Sequence, residues 1–498
     1  MRLSTLIHRL RPRSVDGPTD RPIIGVSHDS REVGPADIFV AITGARVDGR
    51  TFTPSLDVAA VIAEGEVTVK PGVTVIEVAD SRAALAIAAA ALHGDPAATM
   101  PVVGITGTNG KTTTCWMLER ILLHAGRRCG ILGTNGHRID GAALPDSRLT
   151  RYTTPEAPIL QAILAQMQEA GCEAVAMEVS SIGLALRRCD ALPFSVGVFT
   201  GLSRDHLDFH ADMADYLAAK RRLFSELLRT DGVAILNADD PASAQTPSRA
   251  PVWTYSRQAS PDHPADITAQ DATFTLNGIT ATVTTPRGEG ALSMSMVGSH
   301  NLENALAAVG VALALGLDLP TILAGLAALP SVPGRLERVP GGDSVRGDSV
   351  CVLVDYAHTP DALRRVLTTL RPITPGRIHT VFGCGGDRDA GKRPLMGAAA
   401  SVGSDVVTVT SDNPRHEDPL AIIDAILPGI TSEYTVQPDR RAAIEAAIAA
   451  AQPGDVILIA GKGHETYQII GTTSTPFSDV AVAAQALAQR SLVQRKSP

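Results

Sequence analysis

The stretch "GITGTNGKTTT", Gly104 to Thr114, constrains the fold of this chain more than any other segment. The apolar run "VVGIT" predicts a buried strand, and "TTTCWMLERILLHAG" predicts a helix that stops at Gly126. A glycine-rich loop between a strand and a helix N-terminus favours anions, because backbone N–H groups and the helix dipole converge there. The general phosphate-loop pattern has a Gly five positions before the Gly-Lys pair, and this chain has Ile105 there.

Three side chains near this loop have the chemistry that a nucleotide needs. Lys111 would neutralise β- and γ-phosphate charge, and the Thr112 hydroxyl would reach Mg²⁺. The alternative, a glycine-rich turn with a surface lysine, does not explain the flanking strand and helix. Glu178 ends the later predicted strand "EAVAMEV" and suits a phosphate-bound metal. A solvated acid at a strand end accounts for Glu178 equally well.

The length of 498 residues predicts about three domains, since one domain usually takes about 100–200 residues. Alternating apolar strands and amphipathic helices predict an α/β fold with a central parallel sheet that has helices on both faces. The Pro- and Gly-rich segments "HGDPAATMP" and "LPSVPGRLERVPGG" mark the predicted boundaries, and joins near Pro101 and Pro333 would allow the domains to close. The segment "ATFTLNGITATVTT" predicts a β-hairpin with an Asn-Gly turn, as an antiparallel appendage to the central domain. The predicted domains are residues 1–97, 98–332 and 333–498.

Composition excludes several other classes of protein. The net charge of -8 gives a nucleic acid partner no overall electrostatic help. The start has scattered Arg and no sustained apolar core, and no run approaches the roughly 20 apolar residues that span a bilayer. Six scattered cysteines without a C-x-x-C pair predict reduced thiols rather than a zinc or disulfide framework. We therefore expect a cytoplasmic enzyme with no membrane span.

Every predicted strand after residue 342 ends in a polar, Gly-rich or acidic tail. In open parallel sheets, ligands bind at the carboxyl ends of strands. These tails, "VDYAHTPDAL", "VFGCGGDRDAGKRPLMG", "SDNPRHEDP" and "AGKGHETY", are therefore the predicted chemical sites of the third domain.

These tails, together with "TGTNGKTTT", "MEVSS", "LSRDHLDFH", "GSHNLENALAA" and "PGRLERV", occur in the order found in the Mur ligases. The chain resembles this family over nearly its full length, from "SHDSREVGPADIFVAITG" to "AGKGHE", and the family's phosphate loop is the shortened variant seen here. The resemblance implies three domains: a small α/β domain for the UDP substrate, a central P-loop ATPase domain and a Rossmann-like domain for the amino acid. It implies a monomer.

The resemblance further implies an ATP-dependent amide ligase of peptidoglycan precursor synthesis. ATP would phosphorylate the γ-carboxylate of D-Glu in UDP-N-acetylmuramoyl-L-Ala-D-Glu, and the amine of a diamino acid would attack the acyl phosphate. Its substrates would be small molecules, with Mg²⁺ as the metal. Lys111, Mg²⁺ and Arg side chains would stabilise the negative charge that both steps build.

The family's nucleotide and metal residues carry over position by position. Without the family, capping and surface charge would explain Asn301 and Arg335, and His206 would be an ordinary structural or exposed histidine. The resemblance implies an ATP cradle of Gly107, Thr108, Asn109, Gly110, Lys111, Thr112 and Thr113, with further nucleotide-side contacts at Asn301, Arg335 and His358. It implies metal contacts at Thr112, Glu178 and His206.

Lys220, in "DYLAAKRRLF", is by spacing alone an ordinary helix lysine paired with nearby acids. The matching lysine of the family is carboxylated by CO₂. We therefore expect Lys220 as N6-carboxylysine, an anionic oxygen ligand for a second Mg²⁺. Lys111, Lys220, His206 and His358 are the predicted catalytic residues.

The resemblance places the UDP substrate at Ser30, the "GARVDG" loop, Thr153, Thr154, Ser180 and Arg188. Three neighbouring positions depart from the usual family pattern: Tyr152, Ile182 and Leu186. They put local substrate contacts in doubt, though not the reaction.

The stretch "SDNPRHEDP" bears on the identity of the amino acid. Taken alone, it is also compatible with a turn that carries a surface Arg. An Arg fork binds a carboxylate in bidentate fashion, and meso-diaminopimelate has a distal carboxylate that lysine lacks. The resemblance implies diaminopimelate contacts at Arg388, Asp412, Asn413, Pro414, Arg415, Gly461 and Glu465, with Glu465 on the distal ammonium.

Three other functions remain open from the residues. Folylpolyglutamate synthetase shares the loop style and fold, but would lack the D-N-P-R stretch and the uridine-type first domain. A P-loop kinase or NTPase would leave the C-terminal motifs unexplained. A nucleotide-sensing scaffold without catalysis would have no need for Lys111, Glu178, Lys220 and Arg415.

Overall fold

The computed structural model describes residues 1–44, 47–144, 152–260, 264–341 and 350–496. The chain forms two compact units. The first comprises Met1–Gln270, Val283–Gly290 and Glu303–Leu326, and the second comprises Asp271–Thr282, Ala291–Leu302 and Ala327–Pro498. Among the described residues, no helix combines the length and apolarity needed to cross a membrane.

The first unit begins with a five-stranded sheet in the order β1-β5-β4-β3-β2, parallel except between β1 and β5. Leu3, Leu6 and Leu10 recur on one face of an N-terminal helix and are buried, a short amphipathic pattern that the sequence analysis missed. The elements are α1 Leu3–Leu10, β1 Ser14–Asp16, β2 Gly25–Ser27, β3 Asp37–Ala41, β4 Ala60–Ala63, β5 Thr74–Glu77 and α2 Ser81–Leu92.

The next elements build an eleven-stranded sheet in the order β16-β15-β14-β13-β12-β11-β6-β10-β7-β8-β9. Its strands are β6 Val102–Thr106, β7 Cys129–Gly133, β8 Gly136–Ile139, β9 Ala142–Ala143, β10 Ala174–Glu178, β11 Phe194–Phe199, β12 Leu228–Asn237, β13 Val252–Ser256, β14 Ile267–Thr275, β15 Gly278–Thr285 and β16 Gly288–Met294. The helices of this region are α3 Lys111–His124, α4 Ala157–Glu169, α5 Ser181–Ala185, α6 Met213–Arg222, α7 Ser299–Ala314 and α8 Leu319–Ala327.

Strand β6 lies between β10 and β11 and is parallel to both. All five of its residues are buried, as expected for the continuous apolar run of a central parallel strand. Parallel neighbours end at the same edge of a sheet. The loop after β6, Glu178 at the end of β10 and Thr200 after β11 therefore lie at one edge.

The predicted hairpin is present, because β14 and β15 are neighbours in the sheet and two residues connect them. Two details of the prediction are wrong. The residues between β14 and β15 are Leu276 and Asn277, and Gly278 begins β15, so the turn is displaced by one residue. Gly278 has φ +137°, and a Cβ there would strike the backbone of Met294, which explains the need for glycine outside the turn itself. Moreover, β14 pairs in parallel with β13 and extends the central sheet, rather than forming an appendage.

The second unit contains a six-stranded sheet in the order β17-β18-β22-β19-β20-β21, parallel except between β17 and β18, and a separate antiparallel pair of β23 and β24. The strands are β17 Glu337–Arg338, β18 Cys351–Asp355, β19 Ile378–Phe382, β20 Val406–Val409, β21 Tyr434–Val436, β22 Val456–Ala460, β23 Tyr467–Ile470 and β24 Thr473–Pro476. The helices are α9 Pro360–Leu370, α10 Lys392–Gly403, α11 Pro419–Ile426, α12 Arg440–Ala450 and α13 Asp479–Lys496.

Helices cover both faces of this sheet. Leu458 packs in one apolar cluster with residues of α9, α10 and α11, whereas its neighbours Ile457 and Ile459 pack in another with residues of α12 and α13. This alternation follows from the period of two along a strand. The carboxyl ends of β18, β19, β20 and β22 are thereby left for polar loops. The domain boundaries after residues 97 and 332 remain predictions.

Candidate active sites in the two units

The loop from Gly107 to Lys111 connects β6 to α3 as the sequence predicts. Gly107 and Gly110 have φ values of +147° and +87°, in the region that favours glycine. A Cβ at Gly107 would strike the side chain of Thr200, and one at Gly110 would strike the amide of Asn304. The two glycines therefore let the backbone run close to its neighbours, in the form of an anion-binding loop before a helix.

The other loop residues are held by the segment after β11. Thr108 Oγ1 donates to Ser203 O at 3.1 Å, and Thr200 Oγ1 donates to Asn109 O at 2.5 Å. The ammonium of Lys111 donates to the carbonyls of Gly107 and Thr108, both at 2.9 Å. The predicted cradle is thus a single ordered loop, completed by the buried residues Thr112 and Thr113.

Glu178 is buried and lies next to the loop, which argues against the alternative of a solvated strand end. Its carboxylate accepts a hydrogen bond from Thr112 Oγ1 at 2.9 Å. Thr134, in the turn after β7, donates its backbone N–H to Glu178 Oε1 at 2.8 Å and its hydroxyl to Oε2 at 3.1 Å. The sequence analysis missed Thr134, although "ILGTNG" is also a strand followed by a Gly-rich tail.

Lys220 lies on α6 with its ammonium at the base of the phosphate loop. The side chain is buried, and Nζ donates to Gly107 O at 2.9 Å, which argues against the alternative of an ordinary helix lysine paired with nearby acids. Nζ also lies 4.4 Å from the ring centroid of Tyr216, one helical turn earlier on the same face. Burial and the nearby charge of Lys111 lower the pKa of Lys220 well below its usual value.

His206 lies on the same side of the loop. Its backbone has φ +53°, unusual for a non-glycine residue, and its ring packs edge-on against Tyr216 with centroids 6.0 Å apart. Its Nε2 is 3.7 Å from Asp205 Oδ2, and burial lowers the pKa of the imidazole.

Within the described ranges, no three His, Cys, Asp or Glu side chains cluster to hold a metal. The few oxygen ligands beside the phosphate loop still fit Mg²⁺. This ion usually takes one or two carboxylates, with water and substrate phosphate oxygens as its other ligands. The buried pair of Glu178 and the Thr112 hydroxyl offers hard oxygen atoms beside the phosphate loop.

Four of the predicted UDP-substrate residues lie together near Glu178: Thr153, Thr154, Ser180 and Arg188. Thr153 Oγ1 is 3.1 Å from Thr134 Oγ1, and Thr154 Oγ1 is 3.1 Å from Ser180 Oγ. Ser180 caps α5 by accepting the N–H of Gly183 at 3.0 Å. Thr154 is fully buried and also donates to Glu178 O, so its hydroxyl is used within the protein.

Arg188 completes this group. Its Nη1 donates to Thr154 O at 2.9 Å, and its Nη2 is 2.6 Å from Glu156 Oε1. The guanidinium lies 4.6 Å from the ring centroid of Tyr152, one of the positions that depart from the family pattern.

The remaining predicted positions of the UDP site are more dispersed. Ile182 and Leu186 are half-buried, on α5 and directly after it. Ser30 lies in the turn that follows β2 of the N-terminal sheet. Of the "GARVDG" loop, residues 45 and 46 fall outside the described residues.

In the second unit, Arg335 and His358 share one partner, Tyr356. The Arg335 guanidinium lies 5.1 Å from the Tyr356 ring centroid, and His358 Nδ1 lies 2.8 Å from Tyr356 O. His464, which the sequence analysis missed, packs 5.1 Å from the same ring. Asn301 is buried, and its Nδ2 donates to Val297 O at 2.7 Å. This contact resembles the capping role that was the alternative for Asn301.

The loops after β20 and β22 meet, as the predicted amino-acid site requires. Asn413 is buried and donates Nδ2 to Glu465 Oε2 at 2.8 Å. Gly461 has φ +114°, and a Cβ there would lie 2.5 Å from Asp412 Oδ2. Glycine at 461 therefore allows the carboxylate of Asp412 to approach the tip of β22.

Arg415 projects from the same loop with a constrained backbone. It has φ +54°, donates its N–H to Ile469 O at 3.1 Å and accepts from Gly471 N at 2.6 Å. Its Nη1 donates to Gly386 O at 2.8 Å. The hairpin of β23 and β24 thus fixes the base of the Arg415 side chain. Pro414 beside it is buried, and Arg388 is exposed in the loop after β19.

Lys462 is the residue of this site that the sequence analysis missed, although it lies within "AGKGHETY". Its ammonium is fully buried and donates to Asn413 Oδ1 at 3.1 Å and Glu465 Oε2 at 3.3 Å. Burial raises the pKa of Glu465, the charge of Lys462 opposes that rise, and Asp412 adds to it. The positive charge of Lys462 therefore compensates the Glu465 carboxylate, which would otherwise lie buried near the Asp412 carboxylate.

We predict that Lys462→Met destabilises the protein by about 3 kcal/mol, the scale of breaking a buried ion pair. Glu465 ionises in the unfolded chain near its usual pKa, whereas the folded variant must hold a proton or an unpaired charge. The loss should therefore be larger at about pH 8 than at about pH 5. Thermal unfolding at both pH values measures it, with the exposed Lys70→Met as control. A loss independent of pH would contradict the pairing.

Comparison with known proteins gives a consistent result along the chain. Residues 22–93 match the Mur ligase family, catalytic domain; residues 105–312 match the Mur ligase middle domain. Residues 334–463 match the Mur ligase, glutamate ligase domain. The three matches follow the order of the three predicted domains.

Individual proteins are similar over nearly the whole chain. The UDP-N-acetylmuramoyl-L-alanyl-D-glutamate--2,6-diaminopimelate ligase of Gloeobacter violaceus is 48% identical, covering 98% of this chain and 99% of that protein. The ligase of the same name from Geobacter metallireducens is 44% identical, covering 99% of each. A solved structure of a ligase of that name aligns with a TM-score of 0.71 and 35% identity, covering 99% of each chain.

Proposed function

The chain belongs to the Mur ligase family, and on that premise we propose that it adds meso-diaminopimelate to UDP-N-acetylmuramoyl-L-alanyl-D-glutamate. The reaction uses ATP and builds the peptidoglycan precursor. The observation that carries the choice of amino acid is the contact of the D-N-P-R loop with Glu465 through Asn413. That contact supports the proposal because it joins the loop that carries Arg415 to Glu465. A guanidinium and a carboxylate would match the distal carboxylate and ammonium of diaminopimelate.

The reaction has two chemical steps. The γ-carboxylate of D-Glu attacks the γ-phosphorus of ATP, the bond to the bridging oxygen breaks, and ADP leaves. The amine of diaminopimelate then attacks the acyl carbon, loses a proton, and the tetrahedral intermediate expels phosphate. A carboxylate is a poor electrophile, so the first step supplies the leaving group of the second.

In this proposal, the loop from Gly107 to Thr113 binds the ATP phosphates through its N–H groups and the N-terminus of α3. The ammonium of Lys111 donates hydrogen bonds to two loop carbonyls in this structure, and it would turn to the phosphates when ATP binds. Bound Mg²⁺ would supply electrostatic stabilisation of phosphate charge, held by Thr112, Glu178, His206 and the modified Lys220. Asn301, Arg335 and His358 remain proposed nucleotide-side contacts of the second unit.

The setting of Lys220 favours carboxylation of its amine. Two lysine Nζ atoms, those of Lys111 and Lys220, share the carbonyl of Gly107, and two ammonium ions so placed repel each other. A neutral Lys220 amine can attack CO₂ through its lone pair and release one proton, which leaves a carbamate anion. The carbamate of Lys220 would attract the ammonium of Lys111, whereas the unmodified Lys220 ammonium would repel it.

We expect Lys220→Ala to lower kcat by about 100-fold or more, the scale of removing one electrostatic stabiliser, and small carboxylic acids to restore part of it. The matched control is Arg221→Ala, at the next residue of α6, and this variant should retain normal activity. A carbamate signal in ¹³C NMR of the protein equilibrated with ¹³C-bicarbonate should disappear in Lys220→Ala. Normal activity of the variant without rescue, or an unchanged signal, would sink the carbamate.

Recognition of the UDP substrate is assigned to Ser30, in the turn after β2, and to the group of Thr153, Ser180 and Arg188. Thr154 contributes to that group by holding Ser180 and Glu178 in place. Substrates of this kind are soluble nucleotides, so we place the enzyme in the cytoplasm. We propose that it acts as a monomer.

Recognition of diaminopimelate is assigned to two oppositely charged groups. Arg415 binds the distal carboxylate and Glu465 the distal ammonium, with Asp412 beside them. Arg388, exposed in the loop after β19, supplies a second cation, and the remaining contacts come from Asn413, Pro414 and Gly461. L-lysine lacks the distal carboxylate and would leave Arg415 without its partner.

Arg415→Ala should raise the KM for diaminopimelate by about 10- to 100-fold, the scale of losing hydrogen bonds to a charged group. The KM for ATP should change far less, because the loss is confined to the amino-acid site. The exposed Arg364→Ala on α9 is the matched control and should leave both constants unchanged. Equal increases for the two substrates would count against the assigned role.

A further inference from the structure

A buried ion pair lies behind the two loops of the amino-acid site. Arg440 is the first residue of α12 and Asp479 the first of α13, and both side chains have 0% exposure. Arg440 Nε donates to Asp479 Oδ1 at 2.8 Å, and Nη2 donates to Oδ2 at 2.7 Å. The pair is bidentate, so the plane of the guanidinium is fixed.

The same guanidinium reaches the last residue of β22 and the segment just after β20. Its Nη2 donates to Ala460 O at 3.1 Å, and its Nη1 donates to Ser411 O at 3.4 Å. Ala460 directly precedes Gly461, and Ser411 directly precedes Asp412. The two strands concerned, β22 and β20, are not neighbours, since β19 lies between them. One side chain thus connects the starting points of both recognition loops across an intervening strand.

Stability alone is a weak reason for such a pair. Removing two charges from water costs several kcal/mol, and apolar residues of similar volume often replace a buried pair without loss. The geometry of the guanidinium is a stronger reason for the presence of the Arg440–Asp479 pair. The guanidinium has five N–H donors in a rigid fork and can serve a carboxylate and two carbonyls together, which an ammonium of lysine on a flexible stem cannot do in the same plane.

The charge of Arg440 also acts on the site. Burial lowers its pKa, Asp479 raises it, and the carboxylates of Asp412 and Glu465 raise it further, so the net shift is upward. The guanidinium therefore lies within electrostatic reach of both acids assigned to diaminopimelate. It remains charged at any pH at which the enzyme folds.

We propose that Arg440, oriented by Asp479, is the positioning residue that sets the spacing between Asp412–Arg415 and Gly461–Glu465. This inference rests on the proposed function of those loops in binding diaminopimelate. The distal carboxylate and ammonium of the ligand are carried on one carbon, so Arg415 and Glu465 must stand at a fixed separation. Arg440 supplies that constraint from behind the loops, without touching the substrate.

Two variants separate positioning from stability. Arg440→Lys keeps the charge and loses the fork, whereas the double variant Arg440→Met/Asp479→Leu removes the pair and keeps an apolar interior. Both should raise the KM for diaminopimelate by about 10-fold, the cost of one or two misplaced hydrogen bonds, and change the KM for ATP by less than about twofold. The double variant should melt close to the wild-type temperature.

Arg441→Lys is the matched control, since Arg441 is the next residue on α12 and makes exposed contacts with Glu445 and Gln485. It should match the wild type in both constants. An unchanged KM for diaminopimelate in either folded variant would overturn the proposal, as would equal increases for ATP. Failure of both variants to fold would also overturn it, because the pair would then be a requirement of the whole fold.

Failure of the proposed function itself would look different. The wild-type enzyme would then form no product with diaminopimelate. Amide hydrogen exchange still tests the positioning role in that case: residues 412–415 and 461–465 should exchange faster in Arg440→Lys than in the wild type. Unchanged exchange in these two loops would overturn the role of Arg440 independently of any substrate.

Discussion

The carbonyl oxygen of Gly107 accepts hydrogen bonds from two lysines, Lys111 and Lys220, and the chemistry of the first unit depends on that convergence. Lys111 comes from the start of α3 and Lys220 from the buried face of α6, which Tyr216 shares. A phosphate loop needs positive charge, but two adjacent ammonium groups are unfavourable without anions. In the proposed mechanism, the ATP phosphates would supply negative charge to Lys111, and a carbamate would replace the positive charge of Lys220.

In the proposed function, the second unit recognises two opposite charges at one end of a small molecule. Arg415 and Glu465 stand on loops after β20 and β22, so their separation depends on the ends of two strands that are not adjacent. Lys462 and Asn413 fix Glu465 from one side. Arg440 connects the strand ends from the other. We therefore propose that specificity for the amino acid depends on backbone placement as much as on side-chain charge.

Much of this architecture follows from local pattern. The α/β alternation predicted the fold class and the chain length predicted three domains, and both are confirmed. The strand tails were the predicted chemical sites, and the structure brings Glu178 to Thr112 and Asn413 to Glu465. Parallel strands explain that success, because residues at their carboxyl ends must meet wherever the strands pair. The displaced turn before Gly278 shows the limit of a dipeptide signal when a strand needs the glycine for close packing.

Long-range partners were not predictable from the chain alone. Arg440 and Asp479 are 39 residues apart, and each opens a helix where a charged residue is unremarkable. Lys220 likewise has the spacing of a surface lysine, and only the packing of α6 beneath the loop buries it. Burial of a charge depends on the tertiary fold, whereas strand and helix periodicity is local.

The most direct test is the amino-acid dependence of the reaction. Purified protein, UDP-N-acetylmuramoyl-L-Ala-D-Glu, ATP and Mg²⁺ would be incubated with meso-diaminopimelate or with L-lysine, and phosphate release and product mass would be measured. We predict release only with diaminopimelate, together with a product heavier by that one residue. Release with lysine would contradict the role of Arg415, and release with neither would contradict the ligase itself.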